Sequence, residues 1–240
     1  GDQMNGYILK PTNFDPSKRY PVVMSQYSVP GSQSVLDKWT IDWEYYLVSK
    51  GFIVACVDGR GTGGRSRAYE TSVYMQLGKL ETEDQVAGAE YMRTLPYVDD
   101  KHIGIYGWSY GGYETLMAMS TSNGTYQAGV AIAPVTDWRY YDTIYAERFM
   151  RTPNENNEGY EQSAPITHAE KLKGDLLIIS GTADDNVHYL NTLQYSAALI
   201  EAGIQFDTQI YTNKDHHIRG CNTRHHLYTK VCNFFLDKLK

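Results

Sequence analysis

The chain has 240 residues, a formal net charge of −6 at pH 7 and 42% hydrophobic residues, an ordinary composition for one globular domain. The acidic balance, without a basic stripe, argues against nucleic acid as a partner, because binding phosphates requires clustered Lys and Arg. No apolar run reaches the roughly 18 residues that span a bilayer and the N-terminus lacks a signal-peptide pattern, so a soluble domain without membrane contact is expected.

Short apolar segments alternate along the chain with longer segments of helical periodicity. Seven segments are predicted to be strands: Tyr7–Lys10, Val22–Gln26, Phe52–Val57, Ile103–Tyr106, Gly129–Ala133, Leu176–Ser180 and Phe206–Tyr211. Five segments are predicted to be helices: Trp39–Ser49, Glu81–Thr94, Tyr110–Thr121, Tyr189–Ala202 and Asn222–Lys240. This alternation predicts an α/β fold in which a mostly parallel central sheet is flanked by helices on both faces.

The segment 136–172 has no clear periodicity and is rich in Tyr, Asn and Glu. It is therefore predicted to be an irregular excursion above the sheet. No linker, internal repeat or shift in composition divides the chain, so residues 1–240 are expected to form a single domain.

Ser109 lies in a glycine-rich segment between a predicted strand and a predicted helix. The run Gly107-Trp108-Ser109-Tyr110-Gly111 matches the pattern G-x-S-x-G. A serine on such a turn is exposed at the end of the sheet, and the glycines are needed because a Cβ would collide with neighbouring backbone. The pattern predicts an α/β-hydrolase fold with Ser109 as the nucleophile.

A serine hydroxyl becomes a good nucleophile only when a histidine, oriented by a carboxylate, takes its proton. In this fold the acid and then the histidine follow the serine on loops after later strands. The loop after the sixth predicted strand carries Asp184 and Asp185, and the loop after the seventh carries His216 and His217. Position in the chain leaves the choice within each pair open.

No metal ion or cofactor is expected. His225 and His226 are adjacent on a predicted helix, where their side chains point about 100° apart and cannot share an ion. No carboxylate or cysteine stands at ligand spacing from them.

Four segments together resemble the prolyl oligopeptidase family of serine peptidases, and within it the dipeptidyl peptidase IV branch. They are Gly107–Tyr113, Asp58–Gly63, Tyr140–Arg148 and Gly181–His188, and the resemblance extends over nearly the whole chain. It implies that the first aspartate of its pair, Asp184, is the triad acid. It also implies that His216, directly after Asp215, is the base.

The resemblance implies the remaining site residues as well. The hydroxyl of Tyr27 and the backbone N–H of Tyr110 would stabilise the oxyanion of the tetrahedral intermediate. The residues implied for a pocket that holds proline are Val135, Trp138, Tyr141, Tyr145 and Val187. An apolar pocket with aromatic walls suits a pyrrolidine ring. Asn186 would bind the carbonyl of the residue before proline.

The chain also departs from the family pattern. Relatives usually carry Gly before the proline that follows Tyr27, whereas this chain has Val29, so the resemblance does not predict the backbone of that loop. In this branch a β-propeller precedes the hydrolase and supplies a Glu pair and an Arg that bind the substrate's ammonium group. The 240 residues are therefore interpreted as the catalytic domain without that propeller. Relatives imply a periplasmic, cell-surface or secreted parent and a possible homodimer.

The sequence thus predicts a serine peptidase that hydrolyses short peptides through an acyl-enzyme and releases N-terminal dipeptides after proline. One alternative is an esterase, or an acylaminoacyl or tripeptidyl peptidase, that uses the same triad. An alternative of another class is a non-catalytic interaction domain, since some family members have lost the serine. The presence of Ser109, Asp184 and His216 argues against that alternative.

Overall fold

The computed structural model describes residues 2–40 and 42–240. Within these ranges one sheet is built from seven strands: β1 (Asn5–Leu9), β2 (Tyr20–Ser25), β3 (Ile53–Asp58), β4 (Val98–Trp108), β5 (Ala128–Ile132), β6 (Asp175–Gly181) and β7 (Asp207–Tyr211). Their spatial order is β1-β3-β2-β4-β5-β6-β7. Strand β1 runs antiparallel to β3, and every other neighbouring pair is parallel. The predicted α/β-hydrolase architecture, with a mostly parallel sheet, is confirmed.

The helices are α1 (Glu44–Ser49), α2 (Arg67–Thr71), α3 (Lys79–Arg93), α4 (Tyr110–Thr121), α5 (Thr143–Met150), α6 (Asn157–Gln162), α7 (Leu190–Glu201) and α8 (Thr223–Lys238). Two 3₁₀ segments cover Trp138–Tyr140 and Pro165–Lys171. Apolar side chains of α3, α4 and α7 pack with one face of the sheet, and those of α1 and α8 pack with the other. Because both faces are covered, the central strands are buried apolar runs.

The structure corrects two sequence predictions. The first helix begins at Glu44 rather than Trp39, whose side chain is 81% exposed and has no core to pack against; Ile41 in that prediction lies outside the described residues. The segment 136–172 is not irregular, since it contains α5, α6 and both 3₁₀ segments. Two of its four helical segments begin with a side-chain cap: Asp137 accepts the N–H of Arg139, and Asp142 accepts the N–H of Tyr145 at 2.8 Å.

The order of the strands determines which loops can meet. The carboxyl ends of parallel strands lie at one edge of the sheet, where ligands and catalytic groups of α/β proteins collect. Strand β4 lies between β2 and β5, and β6 and β7 follow β5. The loop after β4 therefore has the β2 loop on one side and the β6 and β7 loops on the other.

None of the helices in the described parts of the chain is both long and apolar enough to cross a membrane.

Candidate active site

Ser109 occupies a strained turn between β4 and α4. Its backbone has φ 60° and ψ −116°, and its N–H donates to the carbonyl of Ile132 at 2.8 Å. A Cβ on Gly107 would lie 2.1 Å from the carbonyl oxygen of Gly111, and a Cβ on Gly111 would lie 2.6 Å from that of Gln26. The glycines of the pattern are thus required by the close approach of backbone segments.

Three side chains from separate loops meet at this turn. The Oγ of Ser109 lies 2.9 Å from Nε2 of His216, and Nδ1 of His216 lies 2.8 Å from Oδ2 of Asp184. The side chain of Asp184 is only 1% exposed and that of His216 is 10% exposed. This is the arrangement in which a carboxylate orients an imidazole that can remove the serine proton.

Backbone contacts hold the acid and the base in place. The other carboxylate oxygen of Asp184, Oδ1, accepts the N–H groups of Asn186 at 3.0 Å and Val187 at 2.9 Å. The indole N–H of Trp108, which precedes the serine, donates to the backbone carbonyl of His216 at 3.0 Å. The loop that carries the histidine is therefore tied directly to the loop that carries the serine.

The structure separates the pairs that the sequence alone left open. Asp185 and His217 are both exposed, whereas their neighbours Asp184 and His216 are buried. The hydrogen bonds that lead from Ser109 run through His216 to Asp184.

A small cavity of about 60 Å³ opens beside the serine. The residues that line it are Tyr27, Val29, Ser109, Tyr110, Val135, Trp138, Tyr141 and Tyr145. Seven of the eight, all except Ser109, carry aromatic or aliphatic side chains. Six of these seven were predicted for the site, and the seventh, Val29, replaces the family's glycine. The cavity is therefore compact and lies directly beside the nucleophile.

The two residues expected at the oxyanion line the same cavity as Ser109. Tyr27 follows β2 and is 39% exposed, and partial burial raises the pKa of its phenol, so the hydroxyl remains a hydrogen-bond donor at neutral pH. Tyr110 is the first residue of α4, where a backbone N–H has no acceptor within the helix. The side chain of Tyr110 is buried and donates its hydroxyl to Oε1 of Glu81 at 2.7 Å.

Aromatic rings form the walls of the cavity. Trp138 and Tyr145 are stacked with ring centroids 5.6 Å apart, and Tyr141 meets Tyr145 edge to face at 5.4 Å. Two residues implied for substrate binding do not line the cavity. Val187 is buried in the apolar cluster behind the cavity, and Asn186 lies at its rim. Asn186 Oδ1 accepts the hydroxyl of Tyr141 at 2.7 Å, which leaves its Nδ2 to donate to a ligand carbonyl.

A neighbouring segment braces the loop that carries Tyr27. The carboxylate of Asp58 accepts the N–H groups of Ser34 and Val35, and Gly31 donates its N–H to Gly61 at 2.9 Å. The Asp58–Gly63 segment noted in the sequence therefore has a supporting position beside the site.

Sequence reasoning missed the contributions of Val29 and Trp108. Val29 lines the cavity. The one signal for it in the sequence was that it stands where the family usually has glycine. Nothing in the sequence indicated that the Trp108 indole binds the His216 backbone. In the part of the chain that the structure describes, no group of three or more His, Cys, Asp or Glu side chains could hold a metal ion.

Comparison with known proteins agrees with this geometry. Residues 39–240 match the model of the prolyl oligopeptidase family. The chain is 41% identical to dipeptidyl peptidase 4 of Sus scrofa, over 95% of this chain and 30% of that protein. It is 40% identical to the probable dipeptidyl-aminopeptidase B of Metarhizium robertsii, over 99% of this chain and 26% of that protein.

A solved structure is also similar. The crystal structure of Porphyromonas gingivalis dipeptidyl peptidase 4 superposes with a TM-score of 0.97 at 56% sequence identity, and covers 98% of this chain and 34% of that chain. The present chain thus spans about a third or less of the length of each of these proteins.

Proposed function

Because the chain belongs to the prolyl oligopeptidase family, we propose that it is the catalytic part of a serine peptidase that releases N-terminal dipeptides after proline. The observation that carries the proposal is the continuous hydrogen-bonded row from Ser109 through His216 to Asp184, with contacts of 2.9 and 2.8 Å. The names of the relatives support the dipeptide product.

The reaction proceeds by acyl transfer. Nε2 of His216 accepts the proton of Ser109 as Oγ attacks the carbonyl carbon of the peptide bond. The imidazolium, oriented through Nδ1 by Asp184, then protonates the leaving amine, and the carbon–nitrogen bond breaks to give the acyl-enzyme. Water, activated by the same imidazole, attacks the ester and releases the acid product.

The negative charge of the tetrahedral intermediate develops beside Ser109. The free N–H of Tyr110 and the hydroxyl of Tyr27 are the donors proposed for it, since one belongs to the residue after the nucleophile and the other lines the same cavity. A phenol with a raised pKa keeps its proton and can donate it into a hydrogen bond throughout the neutral range.

The preference for proline is attributed to the cavity. Its volume of about 60 Å³ and its walls of Trp138, Tyr141 and Tyr145 suit a compact apolar ring. Proline has no N–H that would need an acceptor in such a pocket. The Nδ2 of Asn186 at the rim is proposed to bind the carbonyl of the preceding residue.

A substrate panel tests the proposal and separates its rivals. Chromogenic Gly-Pro, Ala-Ala-Pro and acetyl-amino-acid amides, together with simple esters, would be assayed on this chain and on Ser109→Ala. On this chain the two proline amides should be hydrolysed in preference to the acetyl-amino-acid amides, on a chain extended toward the N-terminus Gly-Pro should be preferred over all other amides, and both activities should be lost in Ser109→Ala. Preference for Ala-Ala-Pro would favour a tripeptidyl peptidase, preference for acetyl-amino acids an acylaminoacyl peptidase, and turnover of esters alone an esterase. No turnover of any substrate would favour a non-catalytic domain.

Two partners other than the peptide substrate are also proposed for the parent protein: a β-propeller and a second copy of the chain. Support for the first is that the relatives are much longer than this chain. Support for the second is an exposed apolar row on α7 formed by Leu190, Leu193 and Ile200, which share one helix face. Sedimentation of the chain and of Leu193→Lys at increasing concentration tests the homodimer, and a wild-type chain that stays monomeric would contradict it.

A further inference from the structure

The two residues that flank Tyr27 point into the protein. The side chain of Gln26 is 5% exposed and that of Ser28 is 4% exposed, whereas Tyr27 between them is 39% exposed. Tyr27 is thus the exposed residue between two buried neighbours, and it lines the cavity beside Ser109.

A buried row of hydrogen bonds connects these residues to two helices. Ser28 Oγ donates to Gln26 Oε1 at 3.0 Å, and Gln85 Nε2 on α3 donates to Ser28 Oγ at 3.1 Å. Gln26 Nε2 in turn donates to the carbonyl of Gly111 at 2.7 Å and lies 3.3 Å from Oγ1 of Thr115, both on α4. Each bond replaces water around a buried polar group, and its loss would leave that group unsatisfied.

The contact with Gly111 matters because of where that residue lies. It directly follows Tyr110, whose N–H is one proposed oxyanion donor, and is two positions from Ser109. A Cβ on Gly111 would come within 3.2 Å of the Cα of Tyr27, so the two loops are already in close backbone contact. Gln26 therefore joins the loop that carries Tyr27 to the first turn of α4, which carries Tyr110.

The backbone after Tyr27 also needs an external restraint. Ser28 has φ 61°, a left-handed conformation that costs a non-glycine residue free energy. The Ser28 hydroxyl, bonded to Gln26 and Gln85, supplies the restraint that keeps this conformation in place.

We infer that Gln26 is a positioning residue for the oxyanion hole, which fixes the hydroxyl of Tyr27 relative to Ser109 and the N–H of Tyr110 through its bond to Gly111. The inference rests on the proposed function. A donor must be held within about 0.5 Å of its productive position to stabilise the transition state selectively. Gln26 itself does not touch the substrate, and its effect passes through Tyr27.

A double-mutant cycle on the 240-residue chain tests this inference. Gln26→Met, Tyr27→Phe and the double variant would be compared for kcat and KM on the best substrate of the panel. Loss of a single oxyanion donor lowers kcat by about 10²–10³-fold, so Tyr27→Phe sets the upper limit. Gln26→Met is expected to lower kcat by about tenfold or more with KM nearly unchanged. In the Tyr27→Phe background the same change should alter kcat by less than about threefold, because the hydroxyl that Gln26 positions is absent.

Matched variants separate positioning from a loss of stability. Gln127→Met removes another partly buried glutamine, which bonds the carbonyls of Gly124 and Thr125 far from the serine, and should leave kcat unchanged. If Gln26→Met does not fold, Ser28→Ala removes the adjoining bonds of the same row and takes its place in the cycle. Losses that multiply in the double variant, or a kcat equal to wild type in Gln26→Met, would overturn the inference. An inactive wild-type chain would instead count against the proposed function itself.

Discussion

Asp184 and Asp185 are neighbours in the chain with the same side chain and different surroundings. Asp184 is buried and accepts two backbone N–H groups and a hydrogen bond with the imidazole of His216, whereas Asp185 is exposed. The same contrast holds for His216 and His217. The direction in which each side chain points therefore distinguishes the proposed catalytic residue from its neighbour. Each neighbour can serve as a matched control in mutagenesis.

The first prediction uses the aspartate pair. Asp184→Asn should lower kcat by about 10³–10⁴-fold, because an amide cannot hold the imidazole in the tautomer that accepts the serine proton. Asp185→Asn should change kcat by no more than a few fold. Steady-state assays with the preferred substrate measure both, and equal losses in the two variants would show that the acid has been assigned wrongly.

Glu81 is a buried acid behind the cavity wall. Its side chain is 1% exposed, and burial raises the pKa of its carboxyl to about 7. The groups that face it are the hydroxyl of Tyr110, which lowers this pKa, the carboxylate of Asp84, and Glu114 on α4, whose own pKa burial raises strongly. Glu81 is thus easiest to bury in its protonated form.

The second prediction follows from the sign of that shift. A carboxyl whose folded pKa lies above its unfolded value contributes stability below the ordinary glutamate range, and this contribution is lost as the pH rises to about 7. Glu81→Gln stays neutral, so its free energy of unfolding should increase relative to that of wild type between pH 5 and pH 8, which means that the variant becomes relatively more stable. Denaturant unfolding at both pH values measures the trend. The exposed Glu201→Gln should show no such trend, and an identical pH dependence in Glu81→Gln and wild type would contradict the prediction.

At the scale of elements, the turn between β4 and α4 depends on the absence of side chains. The third prediction is that Gly107→Ala lowers the free energy of unfolding by about 3 kcal/mol or more, because its Cβ would lie 2.1 Å from a backbone oxygen. Gly203→Ala, where no atom lies within 4 Å but φ is +71°, should cost only about 1 kcal/mol. Equal costs measured by denaturant unfolding would contradict this account of the turn.

The regular elements could be predicted because their signals are strong and local. All seven predicted strands overlap observed ones, since buried parallel strands are continuous apolar runs. Helix α2 and the helices within 136–172 were missed because they are short or depend on caps rather than on a long apolar face. The first residues of β4 were missed as well, because Asp99, Asp100 and Lys101 are polar.

The site was less predictable than the fold. Spacing and strand order indicated which loops would meet, but the selection of Asp184 and His216 required the family resemblance. The position of Val187 behind the cavity and of Asn186 at its rim depends on side-chain packing that no local pattern records. The buried bonds of Gln26 could not be predicted, because a glutamine at the end of a strand is equally compatible with exposure to solvent.

For the molecule as a whole, the strand order brings Ser109, Asp184 and His216 together at one end of the sheet. Among the described residues, however, those that line the cavity beside them include no carboxylate that could bind the ammonium group of a substrate. The fourth prediction is that this chain alone hydrolyses free Gly-Pro and acetylated Gly-Pro amides with kcat/KM values within about tenfold of each other. A chain extended toward the N-terminus serves as the comparison, and strong selectivity of the 240 residues for the free amine would contradict the prediction.

The central claim is that His216 activates Ser109, and covalent labelling tests it most directly. A fluorophosphonate probe reacts with an activated serine, so peptide mapping by mass spectrometry should find one adduct, on Ser109, in the folded wild-type chain. The adduct should be lost in His216→Ala and retained in His217→Ala. Absence of an adduct from the folded wild type, or equal labelling of Ser109 in His216→Ala, would contradict the account.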